Sequence, residues 1–375
     1  MGLQTATLPD FPWDALVPFA ARARAHPDGI VDLSVGTPVD ATPDLVREAL
    51  AAAADAPGYP TTHGTPALRE AVAGWYARRR GVPDLDPAAV LPTVGSKELV
   101  AWLPSLLGLG PGDVVVHPEV AYPTYDIGAR LAGATPLPAD DVAAWRDRDD
   151  VRVVWLNSPS NPTGAVLGAE QLREVVDAAR RIGALVVSDE CYALLAWDEP
   201  WARDGVPSVL DPRVCGPSHD GVLAVHSLSK QSNLAGYRAA FVAGDPAVVA
   251  RLLEVRKHAG MMVPGPVQAA MAAALADDTH VLAQRAVYRR RREVLLRALD
   301  SAGLVVDPSP AGLYLWARGA GAGQDCWQTV ADLADQGILV APGAFYGPAG
   351  GRHVRIALTA SDDSVARAAA RLEGA

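Results

Sequence analysis

A lysine lies in a Ser- and Gly-rich turn at His226-Ser227-Leu228-Ser229-Lys230-Gln231-Ser232-Asn233-Leu234-Ala235-Gly236-Tyr237-Arg238, directly after the apolar run Gly221 to Val225. A lysine crowded at the end of a buried strand has a depressed pKa and can act as a nucleophile that forms Schiff bases. Ser227 and Ser229 offer hydroxyl donors, and Arg238 offers a forked guanidinium, which together suit a phosphate. A Schiff-base lysine beside a phosphate site points to pyridoxal 5'-phosphate (PLP). A surface loop with a solvated lysine is the plain alternative for this motif alone.

Other segments add compatible groups. Asn157-Ser158-Pro159-Ser160-Asn161-Pro162-Thr163-Gly164 follows the strand-like run Val151 to Leu156, and its prolines force a turn there. Ligands of open α/β sheets bind at that edge, so Asn161 can aim an amide at a cofactor oxygen; an ordinary β-turn is the alternative. Asp189, in Ser188-Asp189-Glu190-Cys191-Tyr192, ends another apolar run. A buried acid is costly unless paired, and a carboxylate facing the ring nitrogen of PLP would keep that nitrogen protonated. Tyr192, three residues on, can reach the phenolic oxygen of the same ring. A helix-capping aspartate is the alternative. Gly95-Ser96-Lys97 precedes a helical pattern and offers free N–H groups to a phosphate, or Ser96 simply caps that helix. Tyr122 follows the strand candidate 113–117 and is placed to stack on a flat ring. Arg355 sits among apolar neighbours on a short late strand, where it suits a substrate carboxylate or a structural salt bridge.

The elements that must position these groups alternate between strand-like runs and helical patterns over a chain of 375 residues, which implies an α/β protein of two units. The strand candidates are 113–117, 151–156, 184–188, 222–225 and 239–243, and their near-continuous apolar character implies a sheet buried on both faces. Helices are expected after Thr65-Pro66 and over Gln171 to Arg181. Past residue 265 the pattern changes. One or two long helices run from Gln268 to Asp300, followed by a hairpin-like segment, a helix from Cys326 to Gln336 and short strands. The expected division is a large domain over 46–265 and a small domain of 1–45 with 266–375. The net charge of -10 disfavours nucleic acid or an anionic membrane as partner. The arginines between 285 and 297 are expected to be a solvated helix face. Cys191, Cys215 and Cys326 are too few and scattered for a disulfide framework or a zinc site. The start Met1 to Ala6 lacks the basic and apolar regions of a signal peptide. No apolar stretch reaches the ~18 residues of a membrane helix, and a cytoplasmic setting is expected.

Taken together, N-P-T-G, D-x-x-Y, S-x-S-K with a later Arg, and Arg355 resemble the fold type I PLP-dependent aminotransferases, the aspartate aminotransferase superfamily. The resemblance runs from Val31-Asp32-Leu33-Ser34-Val35-Gly36-Thr37-Pro38 to Arg355. It implies a mostly parallel seven-stranded sheet between helices plus a smaller α+β domain. It implies that Lys230 carries PLP and moves the α-proton, that Asp189 pairs with the pyridine nitrogen, and that Asn161 and Tyr192 bond the phenolic oxygen. Tyr122 would stack on the ring. Gly95, Ser96, Lys97, Ser227 and Arg238 would cradle the phosphate, Gly95 and Lys97 through their backbone. Gly36, Asn161 and Arg355 would hold the substrate. Tyr59 would reach the phosphate of a partner subunit, which implies a homodimer with shared sites. Within the superfamily, Leu8 to Asp14, Asp32 to Asp40 and Lys257 to Pro264 are similar to the actinobacterial type of N-succinyl-LL-diaminopimelate aminotransferase. That similarity implies glutamate as donor and N-succinyl-2-amino-6-oxopimelate as acceptor, in lysine biosynthesis. The rivals are another dicarboxylate aminotransferase, a PLP carbon–sulfur lyase, and a PLP-binding transcription regulator. The last would need an N-terminal winged-helix domain for which the segment before Val31 has no room.

Overall fold

Valine-rich runs make the centre of the molecule, because β-branched side chains pack well on a pleated surface. In the computed structural model, which describes residues 8–374 apart from 320 and 322, seven strands form one sheet. Their order across the sheet is Val90–Val94, Ala239–Gly244, Val222–Ser227, Leu185–Asp189, Val151–Asn157, Val114–His117 and Thr135–Pro138. Every neighbouring pair is parallel except the two made by Ala239–Gly244. The five strand candidates are all strands. Val90–Val94 and Thr135–Pro138 complete the sheet; each carries proline, which masks a strand pattern. The start at Met1 to Ala6 lies outside the described residues.

Side chains alternate between the faces with period two. Leu91, Val115, Val153, Trp155, Val187, Leu223 and Val225 pack against the helices Ser96–Leu106, Thr124–Leu131 and Pro246–Ala259. Val90, Val114, Val154, Val186, Val222 and Phe241 pack against Pro66–Arg79 and Ala169–Ile182 on the opposite face. Both faces are dry, so the parallel strands are apolar almost throughout. Thr65 caps the first of those helices by accepting from Leu68 N, with Pro66 at the first helical position. Gly183, at φ 72°, ends the second.

A second core lies beside this one. Strands Leu304–Val306, Tyr314–Gly319, His353–Ala357 and Ala341–Pro342 form an antiparallel sheet, and Val31–Asp32 pairs parallel with Ile338–Leu339. The helices Val17–Arg24, Thr279–Ser301, Cys326–Asp335 and Asp362–Glu373 cover it. One helix departs from the expected division at 265/266. Gly265–Ala276 packs on the first core through Ala270, Met271, Ala274 and Leu275, because it is apolar on nearly every side and must be buried all round. Half of the arginines of Thr279–Ser301 depart from the expected solvated face, while Arg289, Arg290 and Arg297 are exposed as expected. Arg291 is buried against Asp40, and Arg285 and Arg292 donate to carbonyls of other segments. Among the described residues no helix is long and apolar enough to cross a membrane.

Behind the carboxyl ends of the central strands lies a buried ion pair. Arg80 Nη2 is 2.8 Å from Glu190 Oε2, and Glu190 Oε1 also accepts from Ser208 Oγ and Val209 N. Breaking a buried pair strands one charge in the interior and costs about 3–5 kcal/mol. Arg80→Ala is therefore expected to lower stability by that order. The check is the midpoint of urea unfolding at pH 7 against wild type; an unchanged midpoint contradicts the expectation.

Candidate active site

Three central strands end on residues that carry chemistry. Val151–Asn157 ends on Asn157, Leu185–Asp189 on Asp189 and Val222–Ser227 on Ser227. The parallel register sets Asn157 beside Asp189, and Asp189 beside Val225. Their side chains therefore meet at one edge, where open α/β sheets bind ligands. Asn157 Nδ2 donates to Asp189 O at 2.9 Å, and its Oδ1 accepts from Asn161 N at 2.7 Å. Asn157 thus shapes the turn that presents Asn161.

Asp189 is 6% exposed. Its Oδ2 accepts from the Tyr125 hydroxyl at 2.9 Å and its Oδ1 from Cys191 N at 3.2 Å. Burial holds the carboxyl above the usual carboxylate range, although the bonds from Cys191 and Tyr125 pull the other way. Among the described residues no basic side chain pairs with it. It caps a short turn and no helix follows, so capping alone does not account for a carboxylate at this depth.

Lys230 sits in the single helical turn Leu228–Gln231, where Ser227 Oγ accepts from Ser229 N. Lys230 Nζ donates to Gly36 O at 2.7 Å. The Ser227 hydroxyl donates to Ser229 Oγ at 2.8 Å. Arg238 has φ 55°, and its guanidinium lies against Gly95, where a Cβ would come within 2.0 Å of Nη2. Gly95, itself at φ 78°, occupies the cap position of the helix Ser96–Leu106 with no side chain to fill it. Ser96 is therefore the first helical residue rather than the cap. The result is a helix N-terminus, two serine hydroxyls and a guanidinium at one end of the site, which fits a phosphate. Lys97 is exposed and turns its amine over the Phe11 ring, 5.9 Å from the centroid.

At the other end Arg355 is 3% exposed. Its Nη1 donates to Asn161 Oδ1 at 3.0 Å and its Nη2 to Ser34 O at 2.6 Å, while Nε has no partner. The guanidinium lies 4.0 Å from the Tyr314 ring centroid and 5.0 Å from that of Tyr346. No carboxylate among the described residues pairs with it, so the structural salt bridge is not present. The Tyr314 hydroxyl is 3.3 Å from that of Tyr192 and fills the space a Cβ on Gly36 would need. Burial raises the Tyr314 phenol, but the Arg355 and Lys230 cations outweigh it and leave it below the ordinary tyrosine value. Tyr192 is pushed up by burial and by Tyr314. Tyr122, half-buried against Tyr125, is pushed up to about 12 by burial.

The chain thus brings Gly36, Gly95, Ser96, Tyr122, Asn161, Asp189, Tyr192, Ser227, Lys230, Arg238 and Arg355 to one region. Tyr59, 96% exposed, stays out of it. Asn157, Tyr125, Tyr314 and Tyr346 join without having been anticipated. Tyr125 had a signal, its place in the first turn of the helix Thr124–Leu131, three residues after Tyr122. Tyr314 had none, since only the pairing of Trp316 with Arg355 and Tyr314 with Ala357 places it there. A buried acid without a cation, an amine-bearing lysine and an anion cradle together fit PLP.

Residues 28–372 match the family model described as aminotransferase class I and II. The chain is 61% identical over 365 residues to the 4-dedimethylamino-4-oxo-anhydrotetracycline transaminase OxyQ of Streptomyces rimosus, covering 97% of this chain and 99% of that protein. It is 61% identical over 369 residues to a probable aminotransferase of Mycobacterium tuberculosis, covering 98% of this chain and 86% of that one. The solved structure of a probable N-succinyldiaminopimelate aminotransferase from Thermus thermophilus superposes with a TM-score of 0.86 at 31% identity, covering 97% and 100% of the two chains.

His226 supports the lysine turn from beneath. Its ring packs 4.5 Å from that of Trp75, with Nδ1 3.0 Å from Glu190 O and Nε2 2.8 Å from the Gln231 side chain. Burial lowers its pKa to about 4, so the folded protein keeps it neutral where the unfolded chain, near 6.5, takes up a proton. Stability from this group is full above pH 6.5 and is lost as pH falls towards 4, by about 3 kcal/mol at 1.36 kcal/mol per unit. His226→Gln should flatten that part of the unfolding free energy against pH, and an unchanged slope counts against this origin.

Proposed function

We propose that this chain, which belongs to the class I and II aminotransferases, moves an amino group from glutamate to N-succinyl-2-amino-6-oxopimelate, giving N-succinyl-LL-2,6-diaminopimelate. The protein is a PLP-dependent aminotransferase. When bound, PLP supplies an electrophilic carbon for amines and a ring that accepts the electron pair left when an α-proton departs.

In this reading Lys230 carries the cofactor and then takes and returns the α-proton at Nζ. Asp189 keeps a proton on the ring nitrogen, its burial being offset by that positive partner. Asn161 and Tyr192 bond the phenolic oxygen, and Tyr122 covers the ring. Ser227, Ser96, Arg238 and the N–H groups at Gly95 and Lys97 hold the phosphate. Arg355 grips the α-carboxylate of donor and acceptor in turn, with Gly36 at its side. The observation that carries the amino- and keto-acid part is the buried Arg355 guanidinium with no carboxylate of the described residues on it. The Thermus structure, that of a probable N-succinyldiaminopimelate aminotransferase, supports the succinylated acceptor. A second reading has its own support. The Streptomyces relative is 61% identical and named for a 4-oxo-anhydrotetracycline, so a ring ketone is the alternative acceptor.

The dimer is part of the same proposal. Tyr59, Val35 and Val39 are all exposed, the valines on the segment that carries Gly36, and a second copy would cover them. Mixed Lys230→Ala and Tyr59→Phe subunits should then regain one working site, and active monomers at all concentrations would refute the sharing.

A donor and acceptor panel on the purified protein decides the substrate. Glutamate with the succinylated keto acid should be the preferred pair, with aspartate a poor donor. Aspartate–oxoglutarate exchange without turnover of succinylated diaminopimelate overturns it, and amination of a 4-oxo ring ketone selects the second reading. Arg355→Ala should depress both half-reactions by about 2–5 kcal/mol in kcat/KM, the cost of truncating one partner of a buried pair.

A further inference from the structure

The helix Thr279–Ser301 carries a polar stripe that is tied to two segments of the site. His280, Gln284 and Tyr288 are four residues apart and Arg291 is three further on, so they share one helix face. His280 Nε2 is 2.8 Å from Ser232 Oγ, and its Nδ1 is 2.7 Å from Asp277 Oδ2. The Tyr288 hydroxyl donates to Lys230 O at 3.5 Å and to Asn233 Oδ1 at 3.3 Å. Arg291 donates to both oxygens of Asp40, at 2.8 and 2.6 Å.

Gln284 stands in the middle of this stripe and is 8% exposed. Its amide is used at both ends. Nε2 donates to Asp40 Oδ2 at 2.8 Å, and Oε1 accepts from Asn233 Nδ2 at 2.8 Å. Asn233 closes the Lys230 turn at φ 56°, a left-handed conformation that a non-glycine residue holds at a cost. Asp40 ends the segment that supplies Ser34 O to Arg355 and Gly36 O to Lys230. The amide therefore spans the lysine side and the substrate side of the site.

We propose that Gln284 is a positioning residue for Lys230: its amide sets the turn 228–233 against the segment 34–40, and so fixes the Lys230 amine relative to the Gly36 carbonyl. A carbon chain of the same size would fill the space but remove this tie. Between the segments, besides the bond from Lys230 to Gly36 O itself, it would leave among the described residues only the longer bonds from Asn233 Nδ2 to Ala41 O at 3.3 Å and from Thr42 Oγ1 to Asn233 O at 3.4 Å. The proposal rests on Lys230 being the lysine that carries the cofactor. Borohydride labelling of the wild-type holoenzyme tests that separately, since a label on another lysine removes the premise whatever Gln284 does.

The experiment compares wild-type holoenzyme with Gln284→Leu and Asn233→Gly. The glycine keeps the positive φ but removes the amide arm. Tyr314 and Cys191, the other titratable groups that feel the Lys230 amine, stay in place in both. The readouts are the pH midpoint of the visible absorption of the lysine-bound cofactor, kcat and KM for the amino donor, and the melting temperature. Gln284→Leu should move the midpoint by about half a pH unit or more. It should lower kcat roughly tenfold with KM changed by no more than about twofold, the pattern of a lost reacting geometry. A lower melting temperature with wild-type midpoint and kcat would reduce Gln284 to a structural tie and overturn the proposal. Should Gln284→Leu not fold, Asn233→Gly decides alone, by a shifted or an unshifted midpoint.

Discussion

Two buried charges have no counter-charge among the described residues, and the site is arranged around them. Asp189 lies at the end of a central strand with only a tyrosine hydroxyl and a backbone N–H to satisfy it. Arg355 lies in the second core with an amide oxygen, a carbonyl and two aromatic faces. An uncompensated charge away from water costs several kcal/mol. The fold lowers that cost with hydrogen bonds but leaves each group short of a full partner. In the proposed reading a cationic ring nitrogen answers the first and a substrate carboxylate the second, so that the affinity for both would have its origin in what folding leaves unsatisfied.

The sheet explains why these groups can stand so close to the anion cradle. Parallel strands point their carboxyl ends one way, so Asn157, Asp189 and Ser227 arrive at one edge with no special loop geometry. The antiparallel strand Ala239–Gly244 then brings Arg238 back to that edge from the opposite direction. Gly95 accepts its guanidinium because it has no Cβ to obstruct it. Behind the edge, the Arg80–Glu190 pair and His226 make a second polar layer. That layer ties the lysine strand to its neighbour before any ligand enters.

The second core contributes the parts proposed to touch substrate. Tyr314 and Arg355 come from neighbouring strands of its antiparallel sheet, and Gly36 from the segment that follows a strand paired with Ile338–Leu339. The helix Thr279–Ser301 spans both cores and bonds segments on each side. Arg285, Arg291 and Arg292 are consequently internal ties, while Arg289, Arg290 and Arg297 keep the solvated face that the clustering in the sequence suggests.

The amino-acid sequence by itself determined five of the seven central strands, their burial on both faces and the types of chemistry at their ends. Those follow from local patterns: valine runs, proline-broken turns, and a lysine between serines and an arginine. Lys230, Asp189 and Asn161 were legible because each sits at a boundary where an apolar run stops and a polar group begins. What only the tertiary structure decided is contact between distant segments. Asn157 looked like the end of a strand until register set it against Asp189. Tyr314 lies in the hairpin-like segment without a signal of its own, and antiparallel pairing brings its ring to the Arg355 guanidinium. Helix Gly265–Ala276 followed its all-round apolar surface into the first core, across the expected boundary. The physical reason is the same in each case. Local sequence sets which backbone shape and which face are favourable, whereas partners across a sheet or between helices are chosen by packing and by the cost of leaving buried polar groups unmatched.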